Sequence, residues 1–366
     1  MTPLRVGVVG CGMIARKYVN GSAAFDTYDV VACADLDRAA AEAFGREHGL
    51  DVLALEDLVA APGLDAVLNL TPPAVHAEIV RAALTAGKHV YTEKPLATSL
   101  ADGAELVAEA RRRGLRLGCA PDTFLGSAYE AGRAAILRGD IGEPLGATAR
   151  LLVGGPDSWH PNADMFYAAG GGPMLDLAPY YLAAVASLLG PYEAATGFAT
   201  TITPERTLAV GPRAGKRFPV VVPTHVAALL RLRSGSVLSL TVSFEAGQYD
   251  SMLLVHGSEG TLQLPDANAF EGAVRIRTGG GEWAELPYHS RGPRETRGIG
   301  LDEMVQSLRA GTPHRASGEL GLHVLEVAMG VLRSAEEGRT VEITPLLDSA
   351  RSPDPREQVS TSAGGS

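Results

Sequence analysis

The chain has 366 residues, 46% of them apolar and 20% charged, and a formal net charge of −10. That length exceeds one ordinary core and predicts two domains. The acidic balance excludes a general nucleic-acid binder, which needs a basic surface to neutralise phosphates. No run approaches the roughly 20 consecutive apolar residues of a membrane span. The opening Met1-Thr2-Pro3-Leu4-Arg5 leads straight into a strand-like run, so a cytoplasmic protein with no secretory signal is expected. Cys11, Cys33 and Cys119 are too widely spaced for a CxxC motif and read as reduced core thiols.

Strand and helix signals alternate over the first 120 or so positions. Leu4–Val9 is an apolar run followed by the helical Met13–Val19. Val30–Ala34 precedes helical Arg38–His48, Ala66–Leu70 precedes Val75–Ala86, and His89–Thr92 precedes the amphipathic Leu100–Arg113. Leu115–Cys119 closes the series. Continuous apolar strands alternating with helices predict a parallel sheet covered on both faces, doubly wound. After Pro121, Ser127–Arg138 reads as a helix, and the strands then alternate in polarity. Thr224–Arg233 and Ser236–Glu245 meet at Ser234-Gly235, with Leu238, Leu240, Val242 and Phe244 on one side and Ser239, Thr241 and Ser243 on the other. That is an antiparallel sheet with one buried face. Met252–His256 and Thr261–Leu264 continue it, helices follow near Leu301–Arg309 and Glu319–Glu337, and Val341–Ile343 reads as a last strand. The expected fold is α/β: a dinucleotide-binding Rossmann domain over residues 1–121, an α+β substrate and oligomerisation domain with an open, mostly antiparallel sheet over 122–345, and a disordered tail over 346–366.

Gly10-Cys11-Gly12-Met13-Ile14-Ala15 lies between the first strand and the first helix and fits GxGxxG/A. Gly10 allows the turn, Gly12 lets the backbone approach a pyrophosphate, and Ala15 permits close helix–strand packing. The helix start at Met13 and Ile14 offers free N–H groups to phosphates. Asp35 ends the second strand, where a carboxylate accepts hydrogen bonds from ribose hydroxyls and repels a 2′-phosphate. NAD is therefore expected over NADP, although Arg38 stands close enough to meet such a phosphate. The other reading of Asp35 is a helix N-cap.

Three further segments carry a family resemblance: Thr71-Pro72-Pro73-Ala74-Val75-His76, Glu93-Lys94-Pro95-Leu96 and Gly170-Gly171-Gly172-Pro173-Met174-Leu175-Asp176. With the glycine turn they resemble the Gfo/Idh/MocA oxidoreductases, from about Arg5 to Ile343. The resemblance implies that Thr71, Pro72 and His76 lie along the cofactor, that Glu93 holds the nicotinamide-side ribose, and that Lys94 contacts both cofactor and the reacting hydroxyl. It implies a cis bond before Pro95, and Asp176 on a helix of the second domain. It also implies a homodimer or homotetramer formed through the exposed face of the second sheet. The family often has a histidine four residues after the aspartate; here that position is Tyr180.

Three groups are candidates for the missing acid/base. Tyr180 has an unperturbed pKa of roughly 10 and needs a nearby cation to ionise. Lys94 is the second. The third is His160, in Asp157-Ser158-Trp159-His160-Pro161, on a loop that with Trp159 and Asn162 can close over a sugar ring; otherwise Trp159 packs beneath the loop and His160 is surface-exposed. Asp122 is either a substrate ligand or a turn cap. His89 and His256 read as structural, His225 as structural or interfacial. No cluster has metal-ligand spacing, and no metal is expected.

The resemblance implies NAD(H)-dependent hydride transfer to or from a secondary hydroxyl of a sugar, glycoside or cyclic polyol. Two other readings stay open: a glycoside-processing enzyme that retains NAD with no net redox change, and a non-catalytic NAD-binding regulatory protein.

Overall fold

Apolar runs bounded by glycine or polar turns become six parallel strands. The computed structural model describes residues 2–344; the tail expected over 346–366 lies outside them. The first strands and helices are β1 (Leu4–Val9), α1 (Met13–Ser22), β2 (Tyr28–Ala34), α2 (Arg38–His48), β3 (Asp51–Val52), α3 (Leu55–Ala60), β4 (Ala66–Asn69), α4 (His76–Thr85), β5 (His89–Thr92), α5 (Leu100–Arg113) and β6 (Leu117–Cys119). The sheet order is β3-β2-β1-β4-β5-β6, parallel throughout. Local chemistry sets the helix ends. The Asp37 side chain accepts from the Ala39 and Ala40 amides, and Gly49 ends α2 at φ 69°. Ser99 caps α5, and Gly114 ends it at φ 66°. Val67, Val90, Leu84 and Leu106 are buried between strands and helices, each contributing about 1.5–3 kcal/mol of transfer free energy.

Two elements of this unit, β3 and α3, were not expected; at two and six residues they are too short to show a period. The unit, which runs to Gly126, also takes in a returning segment, Ser290–Leu322. That segment forms α10 (Ile299–Ala310, the expected helix lengthened at both ends), which buries Leu301, Met304 and Val305.

The second unit comprises Ser127–His289 with residues 323–344. It contains α6 (Ser127–Arg138), β7 (Pro144–Leu152), α7 (Asp164–Tyr167), α8 (Pro173–Asp176), α9 (Ala178–Leu189), β8 (Tyr192–Thr200), β9 (Glu205–Thr207), β10 (Arg217–Pro219), β11 (His225–Leu232), β12 (Val237–Ser243), β13 (Asp250–Gly257), β14 (Gly260–Leu264), β15 (Arg275–Thr278) and β16 (Ala284–Glu285). After α11 (Gly318–Glu337), β17 (Val341–Glu342) pairs with β8. The main sheet runs β16-β15-β14-β13-β7-β12-β11-β8-β17, and β9 and β10 form a separate hairpin. The β7–β12 pair is parallel and the others are antiparallel. In β12 and just beyond it Leu238, Leu240, Val242 and Phe244 are buried and Ser239 is exposed, as the alternation requires. Ser243 departs from it: the side chain is buried and donates to Thr224 O.

All three cysteines are free and buried. Among the described residues no helix is long and apolar enough to cross a membrane, and no group of three or more His, Cys, Asp or Glu could hold a metal ion.

Candidate functional site

The glycine turn follows β1. Gly10 has φ 95°, a left-handed conformation, and a Cβ there would come within 2.7 Å of the Leu70 carbonyl. Its N–H donates to Ala34 O. Gly12 differs: its φ is −76°, it stands at the N-cap of α1 with no side-chain cap, and a Cβ there would meet nothing within 4 Å. The helix start at Met13 and Ile14 therefore keeps free amides with open space before them, the arrangement that receives a phosphate. Ala15 is fully buried. Asp35 closes the turn: one carboxylate oxygen accepts from Cys11 N at 2.7 Å and the other from Asp37 N at 2.9 Å. The cap of α2 is Asp37, so the N-cap reading of Asp35 is wrong. Arg38 pairs with Glu42. These residues fit a dinucleotide.

Two neighbouring turns are tied together by His76. It was expected along the cofactor; instead the side chain is completely buried, with Nδ1 2.7 Å from Pro95 O and Nε2 2.7 Å from Thr71 O. Burial lowers its pKa, opposed by the two carbonyl bonds. His76 thus braces the Thr71-Pro72 turn against the Lys94-Pro95 turn, and any action on a cofactor passes through those turns. Thr71 donates to Asn69 Oδ1, and Pro72 is exposed. Glu93 accepts from Tyr18 OH at 2.9 Å and from Lys94 N at 3.1 Å. The Lys94–Pro95 bond is cis, as is Ala120–Pro121.

Asp122 is not a free substrate ligand, and its side chain does not cap its own turn. It is completely buried, bonded to Arg297 Nη1 at 3.1 Å and to the Gly298 and Gly300 amides; burial raises its pKa, with Arg297 opposing. It anchors the returning segment. The sequence carried no local signal for Arg297, 175 positions away, or for the Tyr18–Glu93 bond.

In the second unit, Asp176 ends α8 and Tyr180 lies in α9, with helical backbone at the intervening Leu177. Four residues of helix place both on one face, and both are half-buried. Gly170 and Gly172 have φ near 85° and 88°, and a Cβ on Gly171 would come within 2.4 Å of Phe166 O, so the triplet sets the entry to α8. His160 is half-buried; Nδ1 accepts from Asn162 N at 3.1 Å, and the ring packs between Trp159 and Phe166. Its pKa is lowered by burial, against the nearby charge of Asp176. Trp159 is 60% exposed, so it does not pack beneath the loop. His89 Nδ1 accepts from Arg116 N, and His256 bonds Thr148; both are structural. His225 lies half-buried in β11 between Thr200 and Ser243.

An uncapped helix start behind a side-chain-free approach, closed by a carboxylate just after the next strand, defines the class: a dinucleotide-binding protein of Rossmann type. Residues 4–120 match the model described as oxidoreductase family, NAD-binding Rossmann fold, and residues 129–263 match the GFO/IDH/MocA C-terminal domain. The chain belongs to the Gfo/Idh/MocA oxidoreductase family. It is 30% identical to a 1,5-anhydro-D-fructose reductase of Ensifer adhaerens, over 93% of this chain and 98% of that one. It is 32% identical to a dTDP-3,4-didehydro-2,6-dideoxy-alpha-D-glucose 3-reductase of Actinomadura kijaniata, over 91% and 93%. The structure of a levoglucosan dehydrogenase in complex with NADH superposes with a TM-score of 0.83 at 21% identity, covering 94% of this chain and all of that one; at that identity it shares the fold.

Proposed function

We propose that this protein is an NAD(H)-dependent dehydrogenase or reductase acting on a secondary hydroxyl of a sugar, glycoside or cyclic polyol, in the cytoplasm. The observation that carries the reading is the Glu93–Lys94 turn, fixed at the end of β5 by His76 and Tyr18 in the same unit as the dinucleotide turn. The two curated relatives are named as sugar reductases, which supports the substrate class. NAD is preferred over NADP because the Asp35 carboxylate, held by two amides, repels a 2′-phosphate; Arg38 is already paired with Glu42.

A bound nicotinamide supplies the hydride acceptor or donor. Glu93 holds its ribose, Lys94 contacts the reacting hydroxyl and Asp176 orients the ring. Tyr180 is the preferred proton carrier. Neutral His160 spends its Nδ1 lone pair on the Asn162 amide and so carries its proton on Nε2, which makes it a donor to a substrate oxygen rather than a base. The apolar residues on the open sheet face, Phe198, Leu229 and Val237, support self-association through that face.

The test is reduction of NAD and NADP over a panel of free sugars, cyclic polyols and glycosides. Reduced cofactor with a ring substrate, NAD favoured, is the expected result. A processed glycoside without accumulated reduced cofactor would replace this reading with the no-net-redox one. Cofactor binding with no turnover on the whole panel would leave the regulatory reading.

A further inference from the structure

The loop between β7 and α8 is held from beneath by two arginines of the β9–β10 hairpin region. Arg206, in β9, reaches the loop at Gly154 O and at Asp157 Oδ1, 3.0 Å away. Its other nitrogen bonds Phe244 O and Glu245 Oε2, the latter at 2.7 Å. The guanidinium lies over the buried Tyr167 ring, whose hydroxyl also donates to Asp157. Glu245 accepts further from Thr224 and Thr203. Side-chain exposure at this cluster is 11% for Arg206, 18% for Asp157 and 11% for Glu245. Arg213 grips the far end of the loop, its two terminal nitrogens each 2.7 Å from an Asp164 oxygen and one also 3.0 Å from Asn162 Oδ1. Below lies a small core of Ala163, Tyr167, Leu208, Phe218, Val220 and Phe244.

What this anchorage presents outward is a short series of rings. Phe166 packs on that core, His160 stands edge-on to Phe166 at 5.1 Å between centroids, and Trp159 stands edge-on to His160 at 5.4 Å. A single exposed apolar side chain is ordinary on a protein surface. Trp159 differs in its fixation: its main-chain N–H and that of His160 both close onto Pro156 O, and its neighbour His160 feels the Asp176 carboxylate. The loop is fixed by the protein's own ion pairs, so little entropy is left to lose when a ligand binds. Ligand sites combine such rigid aromatic faces with a few convergent polar groups. A sugar or cyclic polyol ring has one face of C–H bonds, for which an indole is the complement, and hydroxyl edges for His160 and Asp176.

We propose that Trp159, held by the Arg206 and Arg213 clamps, is the platform against which the C–H face of the substrate ring stacks, with His160 and Asp176 binding its hydroxyl edge. This rests on the sugar oxidoreductase reading. It assigns ring recognition to Trp159 and makes Arg206 a positioning residue.

The test uses the complete chain and the panel sugar that wild type turns over. Trp159→Ala raises KM for that sugar about tenfold, corresponding to one aromatic contact. It leaves kcat and the KM for NAD within about twofold, because stacking acts alike on ground and transition states. Trp159→Phe recovers part of the loss. Arg206→Lys, which keeps the charge and loses the fork, raises the sugar KM without moving that for NAD. The chain has two tryptophans, so Trp283→Phe leaves Trp159 as its sole indole. With NADH bound, which leaves the hydroxyl sugar unreacted, its emission shifts saturably with the ring sugar and not with an acyclic polyol. Unchanged sugar KM in Trp159→Ala, or emission indifferent to a sugar that wild type turns over, overturns the inference while the enzyme reading stands. No turnover by wild type on any sugar overturns both.

Discussion

Two regions, one in each unit, are built by different means. In the dinucleotide-turn region the backbone does most of the shaping: Gly10 sets the turn, Gly12 leaves its approach open, Asp35 is bound by amides, and His76 bridges two carbonyls. On the side of Asp176, the loop bearing Trp159 and His160 is positioned by ion pairs between side chains, Arg206 with Asp157 and Glu245, and Arg213 with Asp164. Backbone shaping needs glycine at fixed spacing and therefore writes itself into a short stretch of sequence. Ion pairs between distant residues leave no local pattern.

The largest effect separates chemistry from framework. Lys94→Ala should lower kcat roughly 10³-fold, within the usual range for losing a hydrogen-bonding group on the reacting oxygen, with NAD affinity measured by calorimetry unchanged. Comparable loss of NAD affinity would make Lys94 part of the cofactor framework instead. The next concerns the side-chain-built region. Arg206→Ala leaves Asp157 and Glu245 facing each other with no cation between them, and should cost about 3 kcal/mol in urea unfolding. A loss under about 1 kcal/mol would mean that the cluster is solvent-screened and does not fix the loop.

A third effect is pH dependence. His323 is buried, accepts from Tyr192 N, and is held by burial at a pKa of about 4. The unfolded chain takes up that proton near pH 6.5, so the folded state binds fewer protons between these values. The contribution is present in full above about pH 6.5 and is lost as pH falls toward 4, up to roughly 3 kcal/mol. Thermal midpoints should drop between about pH 7 and 5, and His323→Leu should flatten the drop; an equal drop in the variant would assign it elsewhere.

The smallest effect distinguishes two glycines of one motif. Gly10→Ala forces an L-residue to positive φ against the Leu70 carbonyl and should cost about 1–2 kcal/mol of stability. Gly12→Ala meets open space at φ −76° and should leave the thermal midpoint unchanged while weakening NAD binding. Equal destabilisation by both would show that Gly12 is needed for folding rather than for approach of a phosphate.

Legibility in the sequence follows the same division. The limits of α2, α5 and α6 were readable as they stand: for α2 and α5 the caps are coded beside them, Asp37 with Gly49 and Ser99 with Gly114, and α6 (Ser127–Arg138) stops at Gly139. The parallel order of the first sheet followed from continuous apolar strands. The two-residue β3 escaped, as did membership of Ser290–Leu322 in the first unit, fixed by the Asp122–Arg297 pair across 175 positions. Asp35, Lys94, Asp176 and Tyr180 could be selected from motifs. Tyr18, Arg206 and Arg297, which hold Glu93, the His160 loop and Asp122, could not, because each acts through a partner far away in the chain. The bracing role of His76 was hidden for a similar reason: one of its two ring contacts, Pro95 O, lies 19 positions away.

The central claim is net hydride transfer between a ring carbinol carbon and the nicotinamide. The most direct measurement incubates the enzyme and NAD with a panel sugar carrying deuterium at its ring C–H(OH) positions, then quantifies deuterated NADH against ketosugar by mass spectrometry. One deuteride in NADH for each ketosugar formed is the expected result. Conversion of the sugar with no deuterated NADH accumulating would contradict it.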